Sequence, residues 1–469
     1  MTITDRCRVG RSAIDMLSDD VLIHIFNLYR QELDFYSDSG WSWDQWHVLA
    51  HVCQRWRHII FTWPNHLDVR IDCASRAAAV KALDLWPALP ISIHSNFRFP
   101  NYGDQDSIIG VLEHRDRVAG INLLGLTGPQ LETCATFMHG PFPILRNLSL
   151  SCEAATPPVI SDMFLGRSAP HLQRIQLRGI LFPTLINFLL STRDLVELHL
   201  NDIPKTGYIS PDVMVTSLAM LTKLRSVSIS FRSRNSFPKI PTTQRPLPQT
   251  RTVLPSLTTF TFGGVSKYLE DFMARIDTPL LNKLHLHFFY LPTFGTPQLP
   301  QIIHRIEIFK APHEANIGFR DESVDISLTP EWPNYGHLRL EFSCDGLDNQ
   351  LSLLEQVFSQ CFPLLSHVDA LQLFDHDMQP EQDSTLWLAF LRPFNAVKSL
   401  FFYDQNSMAQ IARVLGELTE ERVGEVLPML RTLKWIGGCE WDEVEPLVTP
   451  PLQPFINARE LSGHPVEVL

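Results

Sequence analysis

The chain has 469 residues, of which 45% are hydrophobic and 19% are charged. This balance is typical of a folded protein, and the length exceeds what one compact core usually holds, so several domains or a repeat array are expected. The formal net charge of −12 argues against general affinity for nucleic acid or anionic lipid. No run of 18 apolar residues and no secretory leader pattern occur, and the eight cysteines form no C-x-x-C pair. These features favour an intracellular protein of cytoplasm or nucleus, without a membrane span.

Residues 12–64 have the pattern of a small helical module. The segment SDDVLIHIFNLY begins with Ser18 as a helix cap, followed by two acidic residues in the first turn. The next segment, SWDQWHVLAHVCQRWRHIIF, opens with a capping-box spacing and ends before Trp63-Pro64. Apolar side chains at helical spacing follow one face of each segment: Leu17, Val21, Leu22, Ile25 and Phe26 in the first, and Trp46, Leu49, Val52, Cys53 and Trp56 in the second.

After a transition over residues 65–116, a repeat fills residues 117–440. Its unit is the spacing L-x-x-L-x-L, as in Leu145, Leu148 and Leu150 of PILRNLSLSC. The final x-L-x-L-x alternates with period two, which predicts a half-buried strand, and helical segments such as 351–362 and 407–418 fit between the strands. The first apolar position of each copy falls at 118, 145, 172, 195, 224, 257, 281, 303, 335, 368, 397 and 430.

The steps between copies, 22 to 33 residues, are close to the unit of leucine-rich repeats. One unit cannot cover its own leucines, so stacking of units in parallel is expected. The sequence therefore predicts an α/β array with a parallel sheet, and unrelated strands of an α/β enzyme are the alternative. Residues 233–255, rich in Pro, Ser and Thr, are interpreted as an exposed loop inserted between repeats. The Pro-rich tail, residues 441–469, is expected to be only partly ordered.

The front module resembles a known family. The segments LSDDVLIHIF and LAHVCQRWRHIIF are similar to the two halves of the F-box, in which an L-P-x-E-I-L-x-x-I-F segment precedes a V-C-[RK]-x-W-[RK] helix. VCQRW, residues 52–56, is the strongest part of the match. Ser18 replaces the usual proline, and residues 29–40 lengthen the first connection. The arrangement resembles the F-box-like proteins of fungi, whose box is followed by irregular leucine-rich repeats.

This resemblance implies that the module docks on a Skp-family adaptor, and through it on a cullin–RING ubiquitin ligase, while the repeats hold a protein substrate. The alternative is that the module only caps the repeat array. A scaffold or sensor that binds a protein without ligase recruitment is the competing function. The residues expected to bind the adaptor are Leu17, Val21, Leu22, Ile25, Phe26, Leu49, Val52, Cys53 and Trp56.

Outward strand positions indicate where a substrate could bind. Period two places polar or small side chains outward in the early repeats, and aromatic ones in the late repeats. Exposed aromatic side chains are typical anchors of protein interfaces, so the late repeats are expected to bind the substrate unless the C-terminal tail covers them. The residues predicted to contact it are Phe309, Phe374, Phe401, Tyr403 and Lys434.

The sequence contains no recognisable catalytic or cofactor-binding motif. His285 and His287 share the outward side of one predicted strand, but no third ligand has a suitable spacing. The triplet 375–377, Asp-His-Asp, lies just past a predicted strand, where polar turn residues are expected. We therefore predict a non-catalytic adaptor without metal or cofactor. An enzyme with an unrecognised site remains a third hypothesis, after the ligase subunit and the scaffold.

Overall fold

A computed structural model describes most of the chain, in two compact units, Met1–Leu172 and Gln173–Leu469. The residues that it describes are 13–35, 46–62, 69–85, 89–99, 103–233, 236–237, 251–289, 296–331, 336–361, 363–375, 384–418, 422–437 and 441–469.

The first unit begins with three helices, α1 (Asp19–Phe35), α2 (Trp46–Val52) and α3 (Gln54–Thr62). Ser18 caps α1, because its hydroxyl accepts a hydrogen bond from the Val21 amide at 3.4 Å. The second predicted helix is broken in two at Cys53. The Cys53 sulfur accepts from the Trp56 amide at 3.4 Å, so this residue caps α3 instead of continuing α2.

Four parallel strands and three helices follow in the first unit. Strands therefore begin before residue 117, in the segment expected to be a transition. They pair in chain order, as expected where each helix returns the chain to the same edge. The elements are β1 (Val69–Asp72), α4 (Arg76–Leu85), β2 (Ile91–Asn96), α5 (Gln105–Leu112), β3 (Val118–Leu126), α6 (Gly128–Phe137) and β4 (Asn147–Cys152).

The second unit contains the remaining repeats. Its elements are β5 (Arg174–Arg178), α7 (Leu185–Leu189), β6 (Glu197–Ile203), α8 (Pro211–Ala219), β7 (Ser226–Phe231), β8 (Thr252–Val253), β9 (Thr259–Gly264), α9 (Ser266–Met273), β10 (Ile276–Asp277), β11 (Lys283–Phe288), α10 (Gln298–Arg305), β12 (Pro312–Arg320), β13 (Ser323–Pro330), β14 (His337–Ser343), α11 (Leu347–Cys361), β15 (Ala370–Asp375), α12 (Ser384–Leu391), β16 (Ser399–Phe402), α13 (Gln405–Gly416), β17 (Thr432–Trp435), α14 (Trp441–Leu461) and β18 (Glu467–Val468).

The sheet of the second unit has the order β5-β6-β7-β9-β11-β14-β13-β12-β15-β16-β17-β18. Pairing is parallel except along β12–β13 and β13–β14. The short strands β8 and β10 pair separately, so residues 252–253 of the inserted loop are tied down, while residues 238–250 lie outside the described residues. The expected α/β array is confirmed, and its sheet, expected to be parallel, is parallel except at the β12–β13–β14 pairs.

The leucines of the repeat face the helices. In β6, for example, Leu198 and Leu200 are buried, and they alternate with the half-exposed His199 and Asn201. The same alternation runs through β7 and β11, and α9 and α13 pack on the leucine side of the sheet. The opposite side of the second unit's strands, called the open face below, is therefore available for contacts.

The repeat copy predicted at residue 303 is wrong. This segment forms α10 and a turn of 3-10 helix over Glu307–Phe309. Leu299, Ile302 and Ile303 are buried at helical spacing, and this 3.6-residue period outweighs the short alternation read from the sequence. The strand that follows is β12, and it forms with β13 an antiparallel hairpin that sequence analysis did not predict.

The C-terminal tail is ordered, contrary to the expectation. Helix α14 packs against α13, and β18 adds to the sheet beside β17. Val448, Leu452 and Phe455 of α14 are fully buried. Arg459 is also buried, and its guanidinium donates hydrogen bonds to the carbonyls of Pro428 and Leu430 at 3.0 and 2.8 Å. These contacts explain the order of a segment rich in proline.

Candidate binding surfaces

The front module has its own small core. Leu22, Phe26, Ala50, Ile59 and Ile60 are buried together, and Leu17, Ile23, Leu49 and Trp56 pack against them. The Trp56 ring meets the edge of Phe26 with 4.9 Å between centroids. Arg55 joins α3 to the start of α1 through an ion pair with Asp19 at 2.6 Å and a hydrogen bond to the Leu17 carbonyl at 2.5 Å.

Other apolar side chains of this module, on the contacting helices α1 and α2, point to solvent. Val21, Ile25 and Leu28 follow one stripe of α1 at i, i+4 and i+7, with exposed fractions of 44%, 39% and 49%. Val48 and Val52 are one turn apart on α2, with exposed fractions of 51% and 56%. We call these five residues the docking face. Exposed aliphatic side chains gathered on neighbouring helices are typical of an interaction site.

The nine predicted adaptor contacts are therefore divided between two places. Val21, Ile25, Val52 and Cys53 are exposed. Leu17, Leu22, Phe26, Leu49 and Trp56 belong to the core of the module instead. Helical periodicity could not separate the exposed residues from the core residues, because α1 is apolar on two adjacent stripes. It also gave no reason to include Leu28 or Val48 among the predicted adaptor contacts.

The late repeats place three aromatic side chains, each half-exposed, on the open face: Phe374 of β15, Phe401 of β16 and Tyr403 just after β16. Phe374 stacks on Tyr403 with 4.4 Å between ring centroids and 16° between planes. In the β15–β16 register, Phe401 lies opposite Gln372, and the stacking partner of Phe374 is Tyr403. Lys434 lies opposite Phe401 on β17 and is exposed.

Phe309 does not join these aromatic residues. It ends the 3-10 turn after α10, and its side chain is 5% exposed. The assignment failed because the segment around it is not a strand, so outward alternation does not apply.

The unpredicted hairpin adds a polar network beside the aromatic side chains. The Tyr403 hydroxyl donates to the Gln372 side-chain oxygen at 2.9 Å. The Gln372 amide in turn donates to the Glu314 carboxylate, which also accepts from the Asn316 amide at 3.1 Å. Sequence analysis missed Glu314 and Asn316 because their strand, β12, was not recognised.

Histidines occupy the centre of the open face. His285 and His337 are joined at 2.9 Å between ring nitrogens, and His337 is 2.6 Å from the Ser327 hydroxyl. Burial, followed by the positive charges of His337, Arg339 and Lys283, lowers the pKa of His285 to about 4. Burial also lowers the pKa of His337, so both rings favour the uncharged form, in which each can donate and accept a hydrogen bond.

The geometry does not bring the histidines together as metal ligands. His287 is engaged by the Ser343 hydroxyl at 3.1 Å, away from the His285–His337 pair. Within the residues that the structure describes, no group of three or more His, Cys, Asp or Glu side chains could hold a metal ion. Residues 376 and 377 of the Asp-His-Asp triplet, and the side chain of Asp375, lie outside the described residues.

The C-terminal tail does not cover the aromatic side chains. Helix α14 packs on α13, and α13 itself contacts β15 and β16 from the leucine side. Phe374, Phe401 and Tyr403 stay half-exposed with the tail in place. The alternative in which the tail buries this part of the open face is therefore not observed.

Comparison with known proteins gives no family for the chain, since no family model and no curated protein matches it. Solved structures of leucine-rich-repeat proteins are among those it resembles. The leucine-rich repeat-containing protein LegL7 of Legionella pneumophila aligns at 12% identity with a TM-score of 0.29, over 85% of this chain and 98% of LegL7. TLR13, in its complex with ssRNA13, aligns at 12% identity with a TM-score of 0.28, over 71% of this chain and 45% of that chain. The repeat assignment rests on the strand registers of the chain itself.

Across the described parts of the chain, each helix is too short or too polar to traverse a bilayer.

Proposed function

We propose that the chain is the substrate-recognition subunit of a Skp–cullin–F-box type ubiquitin ligase. In this role the docking face binds the Skp-family adaptor and the open face of the second unit binds a protein substrate. The proposal depends mainly on one observation: a helical module with its own core carries five exposed aliphatic side chains on α1 and α2. The F-box-like segments LSDDVLIHIF and VCQRW lie in this same module.

Energetics favour a partner on the docking face. Fully burying an aliphatic side chain is worth about 1.5–3 kcal/mol, and each of these five is already about half-buried. Roughly 1 kcal/mol per side chain therefore remains to be gained by covering them. Such a face supports docking better than a pure capping role, because a cap would turn its apolar side chains towards the repeats.

The chain itself would perform no chemistry in this role. Ubiquitin transfer would be carried out by the other ligase subunits, and this chain would hold the substrate near them. In the scaffold alternative the open face also binds a protein, but the docking face has no partner. The two functions therefore differ in a single measurable property, which is adaptor binding.

The test replaces two residues of the docking face, Ile25→Gln and Val52→Gln, in the full chain. We expect the double variant to bind a purified Skp-family adaptor at least about tenfold more weakly than the unaltered chain, because anchor residues dominate interface energies. Val213→Gln is the matched control, since Val213 is 45% exposed on α8 in the other unit. Binding is measured by calorimetry and by copurification.

Two results would contradict the proposal. One is adaptor binding that the double variant leaves unchanged. The other is an unaltered chain that binds no adaptor, which would favour the scaffold alternative. Leu22→Ala is not a suitable variant for this purpose, because Leu22 is fully buried and its truncation would destabilise the module whatever its partner.

A further inference from the structure

The open face contains a carboxylate in an unusual setting. Glu314 of β12 lies opposite Ala370 of β15, which lies opposite Ser399 of β16. Both of these neighbours have small side chains, so the side of Glu314 that faces β16 meets no large group along this row. One row further along the strands, Gln372 lies opposite Phe401. We call Glu314, Ala370, Ser399 and Phe401 the acidic recess.

Hydrogen bonds hold the carboxylate of the recess in place. Glu314 accepts from the amides of Asn316 and Gln372, and Gln372 is fixed in turn by the Tyr403 hydroxyl. The acceptor in both bonds is the same oxygen, Oε1. The side chain is therefore oriented before any ligand arrives, which lowers the entropic cost of binding.

The charge of Glu314 is not neutralised by an ion pair with any cation that the structure describes. The nearby cations are engaged elsewhere: Arg320 and Arg339 contact Asp325, and Lys398 contacts Asp369 at 2.8 Å. Lys434 lies three strands away from β12, about 14 Å at the usual strand spacing, which is too far for contact with Glu314.

A carboxylate that shares one side of a sheet with an aromatic ring two strands away is suited to one kind of side chain. A guanidinium ion can pair with the carboxylate through its planar edge while its face or its aliphatic stem lies on the ring. Next to the recess, the Phe374–Tyr403 stack offers half-exposed apolar surface for a neighbouring residue of the same ligand. The recess therefore complements a basic residue followed or preceded by an apolar one.

We propose that the acidic recess binds an arginine side chain of the partner protein, with an adjacent apolar residue of the partner on the Phe374–Tyr403 stack. This inference deepens the proposed function and rests on it, because it names the chemistry by which the open face would select a substrate. A substrate segment with an arginine next to a leucine or similar side chain fits this surface.

The experiment uses the full chain with 4-fluorophenylalanine at position 401 and fluorine NMR as the readout. The probe is the blocked peptide acetyl-Gly-Arg-Leu-Gly-amide, and its counterpart has citrulline, which is uncharged and has nearly the same shape, in place of arginine. We expect a saturable shift with a dissociation constant of roughly 1–10 mM for the arginine peptide, as for a single ion pair with ring stacking. The citrulline peptide should bind at least about fivefold more weakly.

Glu314→Gln in the labelled chain removes the charge but keeps an oxygen that accepts from Asn316 and Gln372, so the fold of the site is retained. We expect this variant to bind the arginine peptide at least about fivefold more weakly. Glu341→Gln is the matched control. Glu341 is also a half-buried carboxylate of the open face, but its neighbours in register are His287 and Asp325 rather than aromatic rings.

Equal binding of the arginine and citrulline peptides would overturn the proposal, as would an unaffected Glu314→Gln variant or the absence of a saturable shift. Adaptor binding by the unaltered chain is measured separately. If the adaptor binds and the arginine peptide does not, only the recess proposal fails. If the arginine peptide binds and the adaptor does not, ligase recruitment fails, while the recess remains the binding site of a scaffold.

Discussion

Gly416 permits the close approach of α14 to α13. It is the last residue of α13, and a β-carbon built on it would lie 1.9 Å from the Pro451 carbonyl oxygen and 3.0 Å from the carbonyl carbon. Real β-carbon contacts stay above 3.0 Å, so Gly416→Ala requires the two helices to move apart by about 1 Å. The displaced helix carries the fully buried Val448, Leu452 and Phe455.

Two opposing effects determine how much Gly416→Ala changes the stability of the contact between α13 and α14. Alanine is favoured over glycine in a helix by at most about 1 kcal/mol, and by less at a terminal position. Overpacking of a tight contact costs about 1–3 kcal/mol, and a backbone carbonyl cannot move aside as a flexible side chain could. We expect Gly416→Ala to destabilise the docking of α14 by about 1–2 kcal/mol net.

Hydrogen–deuterium exchange of the amides of α14 and β18 measures this change locally, so the unfolding of the whole chain need not be two-state. Gly110→Ala is the matched control, because Gly110 lies inside α5 with no atom within 4 Å of the added β-carbon. Gly110→Ala should be more stable than the unaltered chain by up to about 1 kcal/mol, because alanine has the higher helix propensity. Unchanged exchange of α14 in Gly416→Ala would refute the reasoning.

Two further predictions concern charged groups of the second unit, the buried Arg459 and the half-buried Glu270. Arg459→Met leaves the carbonyls of Pro428 and Leu430 without their donor, so we expect a loss of about 2–4 kcal/mol in the thermal unfolding of α14, whereas the exposed neighbour Glu460→Gln should change little. Burial raises the pKa of Glu270 to about 7, against the opposing effect of the Gln298 amide that it accepts from at 2.7 Å. The folded state therefore binds this proton more tightly than the unfolded state. As pH rises from about 4.5 to 7, the free energy of unfolding of the unaltered chain should fall by as much as about 3 kcal/mol relative to that of Glu270→Gln. Calorimetry at several pH values measures this difference, and a difference that does not change with pH would contradict the prediction.

Sequence patterns predicted well wherever one strong period governs a segment. The spacing of Leu198 and Leu200, repeated from copy to copy, gave strands, their inward side and their parallel stacking, because period two leaves only one way to bury the leucines. The same reasoning found the two apolar segments of the front module and the cap at Ser18.

Predictions failed where a short segment fits two periods. The residues around Ile303 alternate over a few positions but bury at helical spacing, so α10 replaced a strand and the position of Phe309 changed with it. The β12–β13 hairpin was missed for the related reason that its strands lack the leucine spacing used to detect the others.

The sequence by itself determined the repeat, the helical front module and the separation of inward from outward strand positions, since these depend on local periodicity alone. Only the tertiary structure decided which apolar residues of α1 lie in the core and which on the docking face, because both stripes read alike until α2 and α3 pack on one of them. It also decided the acidic recess. Glu314 and Phe401 are far apart in the chain, and the insertion of the hairpin between β14 and β15 places them two strands apart on one face.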